Sequence, residues 1–116
     1  MDCIAEVSNV IYAESRGEGA TAMRAVALVI LNRAKEEGVK PCIIVNRPNQ
    51  FAKAKSIVDW KSWELAKLIA RNPGPDITHG ATFFHARSVK PYWVRKMRIT
   101  YQFGSHIFYK NPSSES

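Results

Sequence analysis

Apolar side chains recur at helical spacing near the start of the chain. Ile4, Val7 and Ile11 lie three or four positions apart, and this pattern predicts a first helix over residues 2–15. Gly17 follows, where a glycine adopts a positive φ angle at little energetic cost. We therefore expect the first helix to end before Gly17, so that the carboxylate after this glycine belongs to the start of the next helix.

A second helix is predicted over residues 21–35, and its side chains are apolar on nearly all sides. Such a pattern is typical of a buried central helix. Asn32 and Arg33 lie near its end, and we interpret this polar pair as structural, because buried polar groups bond neighbouring backbone. Asp59 is a suitable N-cap for a further helix over residues 60–71.

The segment between these helices is less regular in its pattern. Pro41 and Pro48 interrupt residues 39–49, which we predict to be a loop with a short apolar piece that packs on the core. A short helix is predicted to follow over residues 50–54.

The last third of the chain changes to a pattern typical of β-strands. Residues 81–85 form a short run rich in β-formers. Residues 98–103 and 106–109 flank Gly104 and Ser105, which predicts a hairpin with a two-residue turn. This turn sets two cross-strand pairs on one face, Phe103 with His106 and Tyr101 with Phe108.

Together these elements predict an α+β fold that is mainly helical, with a small antiparallel β-sheet in the C-terminal third. The 116 residues suffice for one domain, which we assign to residues 1–110. Residues 111–116 are predicted to be a polar tail that frays.

The net charge of +7 favours an anionic partner, such as nucleic acid, a membrane surface or an acidic cell-wall polymer. The basic residues are spread along the chain, with a modest cluster over residues 90–98. This distribution argues against a dedicated nucleic-acid arm, so we expect no nucleic-acid partner.

The cysteines and the chain start give few further clues. Cys3 and Cys42 form no CxxC pair and no disulfide framework, so we expect two free thiols. Residues 1–6 lack the pattern of a signal peptide, and no apolar run is long enough for a membrane span. We expect a protein that is made in the cytoplasm.

The candidate chemistry comes from carboxylates. His79, His85 and His106 lack ligand-like spacing, so we expect neither a metal nor another cofactor. Glu14 and Glu18 lie within one ten-residue run that begins with apolar residues. A carboxylic acid beside a glycosidic oxygen is a common means of cleaving glycans. Both glutamates could equally be ordinary exposed helix residues.

Aromatic and amide side chains suit sugar binding, because ring faces stack on sugars and amides bond hydroxyls. Gln50 with Phe51 is one such pair. Trp93, in a predicted loop beside the sheet, is another candidate. Phe84 and Tyr101 also qualify, although each of these aromatic residues equally suits the core of a small domain.

Six motifs, in this order, resemble the catalytic domain of the SleB-type cell-wall hydrolases. They are Tyr12-Ala13-Glu14-Ser15-Arg16-Gly17-Glu18-Gly19, the apolar run from Ala25 that ends in Asn32-Arg33, Gln50-Phe51, Gly80-Ala81-Thr82-Phe83-Phe84-His85, Pro91-Tyr92-Trp93 and Gly104-Ser105-His106-Ile107-Phe108-Tyr109. The resemblance covers about residues 7–109. It departs from the family at Asp76-Ile77-Thr78, where the family usually has Asp-Pro-Thr, and in lacking a signal peptide and a separate wall-binding domain.

The resemblance implies a lysozyme-like domain with a cleft between helices and sheet, and cleavage of peptidoglycan glycan strands by lytic transglycosylation. It makes Glu14 the catalytic acid and then the base. Glu18 matches the second glutamate of the family motif and is expected to line the site. The full set of candidates for substrate binding is then Glu18, Tyr12, Gln50, Phe51, Phe84, Trp93, Tyr101 and His106.

Two alternatives remain at this stage. A muramidase-type hydrolysis would need a second carboxylate, for which Glu18 is the nearest in sequence. A module that binds cell wall or nucleic acid without cleaving it would use the positive charge alone. For the enzyme we expect a monomer that reaches the wall through a holin or a virion, as a phage-encoded protein would.

Overall fold

The computed structural model describes residues 2–112. Its first part is helical, with α1 at Cys3–Ser15, α2 at Ala20–Glu37, α3 at Pro41–Val45 and α4 at Trp60–Arg71. The three longer helices confirm the predicted ones to within two residues at each end.

Helix ends lie where the local sequence satisfies free backbone groups. Asp2 accepts a hydrogen bond from the Ala5 N–H at 2.7 Å and so caps α1. Asp59 accepts one from the Ser62 N–H at 3.1 Å and caps α4, as predicted. Gly17 has a φ angle of 86°, which breaks the helix between the two glutamates.

The prediction of a loop over residues 39–49 is wrong for its central part, where α3 forms. Pro41 occupies the first turn of α3, where a missing N–H costs nothing. Ile44 and Val45 are fully buried against the other helices. Burial of these two side chains thus stabilises a helix in a segment whose prolines indicated a loop.

The predicted short helix over residues 50–54 is absent. The N–H of Ala52 bonds the Glu14 carboxylate, and the N–H of Ala54 bonds the Asn9 side chain at 2.8 Å. Side chains of α1 therefore satisfy the donors that a helix would have used, and the segment stays extended across the end of α1.

The C-terminal part forms a three-stranded antiparallel sheet. Its strands are β1 at Phe83–Ala86, β2 at Arg98–Phe103 and β3 at His106–Lys110, and β3 lies in the centre. A 3₁₀ helix at Tyr92–Lys96 connects β1 to β2. Trp93 therefore lies in a 3₁₀ helix rather than in the predicted loop.

The hairpin of β2 and β3 has the predicted register near its turn. Phe103 pairs with His106, and Tyr101 pairs with Phe108. Further along, the register shifts between Ile99 and Tyr101, which places an irregularity in the edge strand β2. A β-bulge of this kind is set by local backbone geometry that strand patterning does not reveal.

Helix α2 lies between two groups of buried side chains. One face of α2 packs with α1, α3 and α4, and this group includes Met23, Val26 and Ile30. Its Ala25 and Val29 instead contact Ala81 and Phe108 of the sheet part. The prediction of a buried central helix is confirmed, as is the α+β class with its small antiparallel sheet.

Cys3 and Cys42 form a disulfide, so the prediction of two free thiols is wrong. The two cysteines are 39 positions apart, but α1 packs against α3, and their Cα atoms lie 5.1 Å from each other. This separation is within the range that a disulfide spans. The unpredicted helix α3 brings the second cysteine into place.

No helix within residues 2–112 is both long and apolar enough to cross a membrane. The predicted polar tail lies outside the described residues from position 113 onward.

Candidate active site

Glu14 lies in the last turn of α1 and is half-buried. Its Oε2 accepts a hydrogen bond from the Ala52 N–H at 3.1 Å. The extended segment that supplies this N–H borders a recess of about 330 Å³, whose lining includes Ala13 and Arg16. Glu14 is thus held at one oxygen, next to a surface depression on the helical side.

Tyr12 also lines this recess, although only 1% of its surface is exposed. Its hydroxyl accepts hydrogen bonds from the N–H groups of Val58 and Asp59 at 3.1 and 3.0 Å and from Arg16 at 2.7 Å. Burial alone would raise the pKa of Tyr12, but these donors outweigh it and hold the pKa below its ordinary value. Tyr12 therefore anchors the extended segment to α1.

Glu18 lies between α1 and α2 and reaches the turn of the β-hairpin. Its Oε1 accepts hydrogen bonds from the N–H and the hydroxyl of Ser105 at 3.0 and 2.8 Å. Its Oε2 lies 3.8 Å from Nδ1 of His106, whose side chain is buried. Glu18 thus binds the sheet to the start of α2.

A groove of about 570 Å³ separates the helical part from the sheet. Gln50 and Phe51 line it on the helical side, and Phe84 and Trp93 line it on the other. The structure therefore brings together four of the residues predicted to bind sugar.

Arg33 lies at the bottom of this groove and joins its two sides. It is 8% exposed, and its guanidinium donates to the carbonyl of Thr82 and to the side-chain oxygen of Gln50. The same guanidinium lies over the rings of Phe83 and Phe51, at 4.4 and 5.4 Å. Burial lowers the pKa of Arg33 from its ordinary value. The predicted structural role of this residue is confirmed.

Ring contacts connect the surroundings of the two glutamates. Phe51 precedes Ala52, whose N–H donates to Glu14, and the ring centroid of Phe51 lies 6.1 Å from that of Phe84. Phe84 in turn lies 5.2 Å from the ring of His106, which faces Glu18. These ring contacts therefore connect the segment that bonds Glu14 to the histidine that faces Glu18.

The two aromatic candidates on the sheet side, Trp93 and Tyr101, pack against different parts of the fold. Trp93 packs against Phe83, His85 and Tyr109, with ring centroids 5.3 to 5.7 Å apart, and this anchors the 3₁₀ helix on the sheet. Tyr101 stacks on its own strand and contacts Phe108, so it belongs to the packing between sheet and α2.

Sequence reasoning missed two groups of the site. The Ala52 N–H is a backbone donor, for which no side-chain pattern exists. Ser105 was assigned only to a turn, although it is the partner of Glu18. No set of three or more metal-binding side chains is grouped within residues 2–112.

Comparisons with known proteins agree with this architecture. The profile of the family described as Cell Wall Hydrolase matches residues 17–109. The crystal structure of the catalytic domain of the Bacillus cereus SleB protein is 26% identical, with a TM-score of 0.77, over 93% of this chain and 89% of that one.

A second similar structure is the catalytic domain of SleB from Bacillus anthracis, described as a germination-specific lytic transglycosylase. It is also 26% identical, with a TM-score of 0.74, over 93% of each chain. No curated protein sequence matches significantly. The lysozyme-like cleft, the family profile and both structures lead to one conclusion: this chain belongs to the cell wall hydrolase family and is a peptidoglycan-cleaving enzyme.

Proposed function

We propose that the enzyme is a lytic transglycosylase that cleaves peptidoglycan glycan strands with Glu14 as its one catalytic carboxyl group. The observation that carries this proposal is the contrast between the two glutamates. Glu14 accepts one hydrogen bond, at one oxygen, whereas Glu18 accepts two at Oε1 and faces His106 with Oε2. Glu14 is therefore the less occupied of the two, since within the described residues its Oε1 takes part in neither a hydrogen bond nor an ion pair and can exchange a proton with substrate.

The reaction needs two proton transfers at Glu14. The protonated carboxyl group gives its proton to the glycosidic oxygen as the bond from the muramic acid C1 to that oxygen breaks. The C6 hydroxyl of the same sugar then forms a bond to C1, and the Glu14 carboxylate takes the hydroxyl proton. The product is a 1,6-anhydro sugar end, and Glu14 is again protonated for the next cycle.

The surroundings of Glu14 suit this double role. The Ala52 N–H fixes one carboxyl oxygen, so the other has a defined position relative to a sugar in the cleft. Phe51 and Phe84 line the groove and contribute apolar surface to the binding of that sugar. An intramolecular hydroxyl makes a positioned water unnecessary, so no general base is required on the opposite face.

Hydrolysis by two carboxylates is the alternative that the contacts of Glu18 disfavour. A second catalytic carboxylate must act on a water or on the sugar, roughly 5–9 Å from the acid. The Oε1 of Glu18 is already bonded to Ser105, and freeing it would detach the hairpin turn. The Bacillus anthracis relative, described as a lytic transglycosylase, supports the same preference.

The disulfide fits an enzyme that acts outside the cytoplasm, because such bonds persist in oxidising surroundings. Peptidoglycan lies outside the cytoplasm. The disulfide between Cys3 and Cys42 also links α1, which carries Glu14, to α3.

Mass analysis of fragments from digested peptidoglycan tests the proposal. We expect ends carrying 1,6-anhydro-N-acetylmuramic acid, one water lighter than hydrolysis products. Glu14→Gln should lower turnover by at least about 100-fold, the lower range for general acid–base catalysis. Glu18→Gln is the matched control and should retain the reaction. Reducing ends from wild-type protein, or turnover by Glu14→Gln, would overturn the assignment.

A further inference from the structure

The sheet part carries an unbalanced positive charge. Residues 77–112 contain six lysines and arginines and no aspartate or glutamate. Three of these cations, Lys90, Arg95 and Lys96, are exposed around the 3₁₀ helix. Within the described residues, none of these three side chains takes part in a hydrogen bond or an ion pair. Their charges are therefore available to an external anion.

Tyr92 stands at the centre of this basic surface. It is 93% exposed, which is unusual for a large aromatic side chain. The adjacent Trp93 packs on the sheet and fixes the 3₁₀ helix, so Tyr92 is held outward on a supported element. An exposed tyrosine on a supported helix is typical of binding surfaces. We refer to Lys90, Tyr92, Arg95 and Lys96 as the basic ridge.

The basic ridge is continuous with the groove between the helical part and the sheet. Tyr92 lines the groove of about 570 Å³ together with Gln50 and Phe51. It also lines two neighbouring recesses, one bordered by Lys90 and Arg95 and the other by Lys96. A polymer that lies in the groove therefore passes the ridge on leaving it.

We infer that the basic ridge binds the stem peptides of peptidoglycan and makes the enzyme prefer strands that carry them; this rests on the proposed function. Muramic acid residues bear short peptides with several free carboxylates, and the lactyl group that carries each peptide is uncharged while the peptide is attached. Tyr92 stacks on a sugar of the strand, and Lys90, Arg95 and Lys96 attract the carboxylates of the attached peptide. Continuity with the groove favours this occupant over a separate anionic polymer.

Binding to glycan strands tests the inference without relying on cleavage. Uncrosslinked strands that carry stem peptides are stripped of teichoic acids and immobilised, and half are then treated with an amidase, which removes the peptides and leaves one lactyl carboxylate on each muramic acid. All proteins carry Glu14→Gln, so that the strands stay intact. The test variant combines Lys90→Gln, Arg95→Gln and Lys96→Gln. Its matched control combines Lys40→Gln, Lys61→Gln and Arg71→Gln, which remove the same charge from exposed positions that line none of the recesses.

We expect removal of the peptides to weaken binding on the order of 10-fold for the parent and for the matched control, as three exposed ion pairs would allow. The ridge variant should bind both strand preparations equally, without the preference of the parent. Tyr92→Ala should weaken binding to both preparations, and added salt should lessen the preference of the parent.

Equal binding of the parent to both strand preparations would overturn the inference, as would an unchanged preference in the ridge variant. Salt-sensitive binding to duplex DNA that the ridge variant alone loses, without a peptide preference, would assign the ridge to nucleic acid instead. Fragments released by Glu14→Gln protein in the same tubes would count against the proposed function alone, since the binding comparison does not depend on the catalytic residue.

Discussion

Glu18 and Ser105 are 87 positions apart in the chain, yet one carboxylate oxygen of Glu18 accepts both the N–H and the hydroxyl of Ser105. The turn that carries Ser105 has Gly104 at a φ angle of 56°. A Cβ at Gly104 would lie 2.7 Å from the same oxygen, which is too close for an ordinary contact. The glycine therefore permits both the turn and the approach of Glu18, and these contacts bind the sheet to the helical part.

Glu18→Ala should remove the hydrogen bonds to Ser105 and lower the free energy of unfolding by about 1–3 kcal/mol, the range for losing a hydrogen bond to a charged group. Glu18→Gln should cost less, because its amide oxygen can still accept from Ser105. Urea titration of both variants measures the difference. Equal stability of Glu18→Ala and wild type would show that the hairpin turn is held by its own packing.

Asp76 makes stability depend on acid pH. Burial would raise the pKa of Asp76, but hydrogen bonds from Thr78, Asn32 and the Gly80 N–H outweigh it and hold the pKa below its ordinary value. The stabilising contribution is therefore full above the unfolded pKa of about 4, and it is lost as the pH falls through the lower folded pKa.

Asp76→Asn should accordingly be less stable than wild type at pH 7, and the difference should shrink as the pH falls below about 4. Thermal unfolding across a pH series measures this. Glu36→Gln removes an exposed carboxylate and controls for the change in net charge. A difference that stays constant down to acid pH would contradict the ionised role of Asp76.

The Cys3–Cys42 disulfide closes a loop of 39 positions. Loop-closure entropy gives such a bridge a stabilisation of roughly 2–4 kcal/mol. Replacing both cysteines with serine should lower the free energy of unfolding by that amount, and reductant should do the same to wild-type protein. The double variant is its own control, since reductant should leave it unchanged. A wild-type protein that is indifferent to reductant would contradict the prediction.

Patterns of burial and capping made most of the fold predictable. The apolar run of α2, the cap at Asp59 and the turn at Gly104 each depend on residues close in sequence, so a single chain reveals them. Helix α3 and the disulfide depend on packing between distant segments, which no local pattern encodes. The extended segment at Ala52 was missed for the same reason, since its donors are satisfied by α1.

The candidate site was likewise predictable only in part from the sequence. Gln50, Phe51, Phe84 and Trp93 line one groove, and their binding of sugar stays a prediction. Exposure could not be read from the residue types, and Tyr12 proved to be buried because its hydroxyl binds the backbone of a segment 46 positions away. An aromatic residue near a catalytic motif can therefore support the site from below.

Arg33 offers the most specific test of how the two sides of the groove are held. Its guanidinium donates hydrogen bonds to the Thr82 carbonyl on the sheet side and to the Gln50 side-chain oxygen on the helical side. The same group lies over the rings of Phe51 and Phe83. Arg33→Lys keeps the charge but loses the planar guanidinium that donates to both partners at once. We expect a loss of about 1–3 kcal/mol in the free energy of unfolding and a rise in KM that exceeds the fall in kcat, because the sugar-binding walls shift while Glu14 keeps its own bond to Ala52.

Arg47→Lys is the matched control, because Arg47 forms a partly exposed ion pair with Glu37 and such pairs contribute little. A double-mutant cycle between Arg33→Lys and Gln50→Ala then isolates their interaction. If Arg33 positions Gln50 through their direct bond, the two substitutions should be non-additive in KM. Additive effects would mean that Arg33 acts only through Thr82 and the aromatic rings, and that Gln50 reaches the substrate without its help.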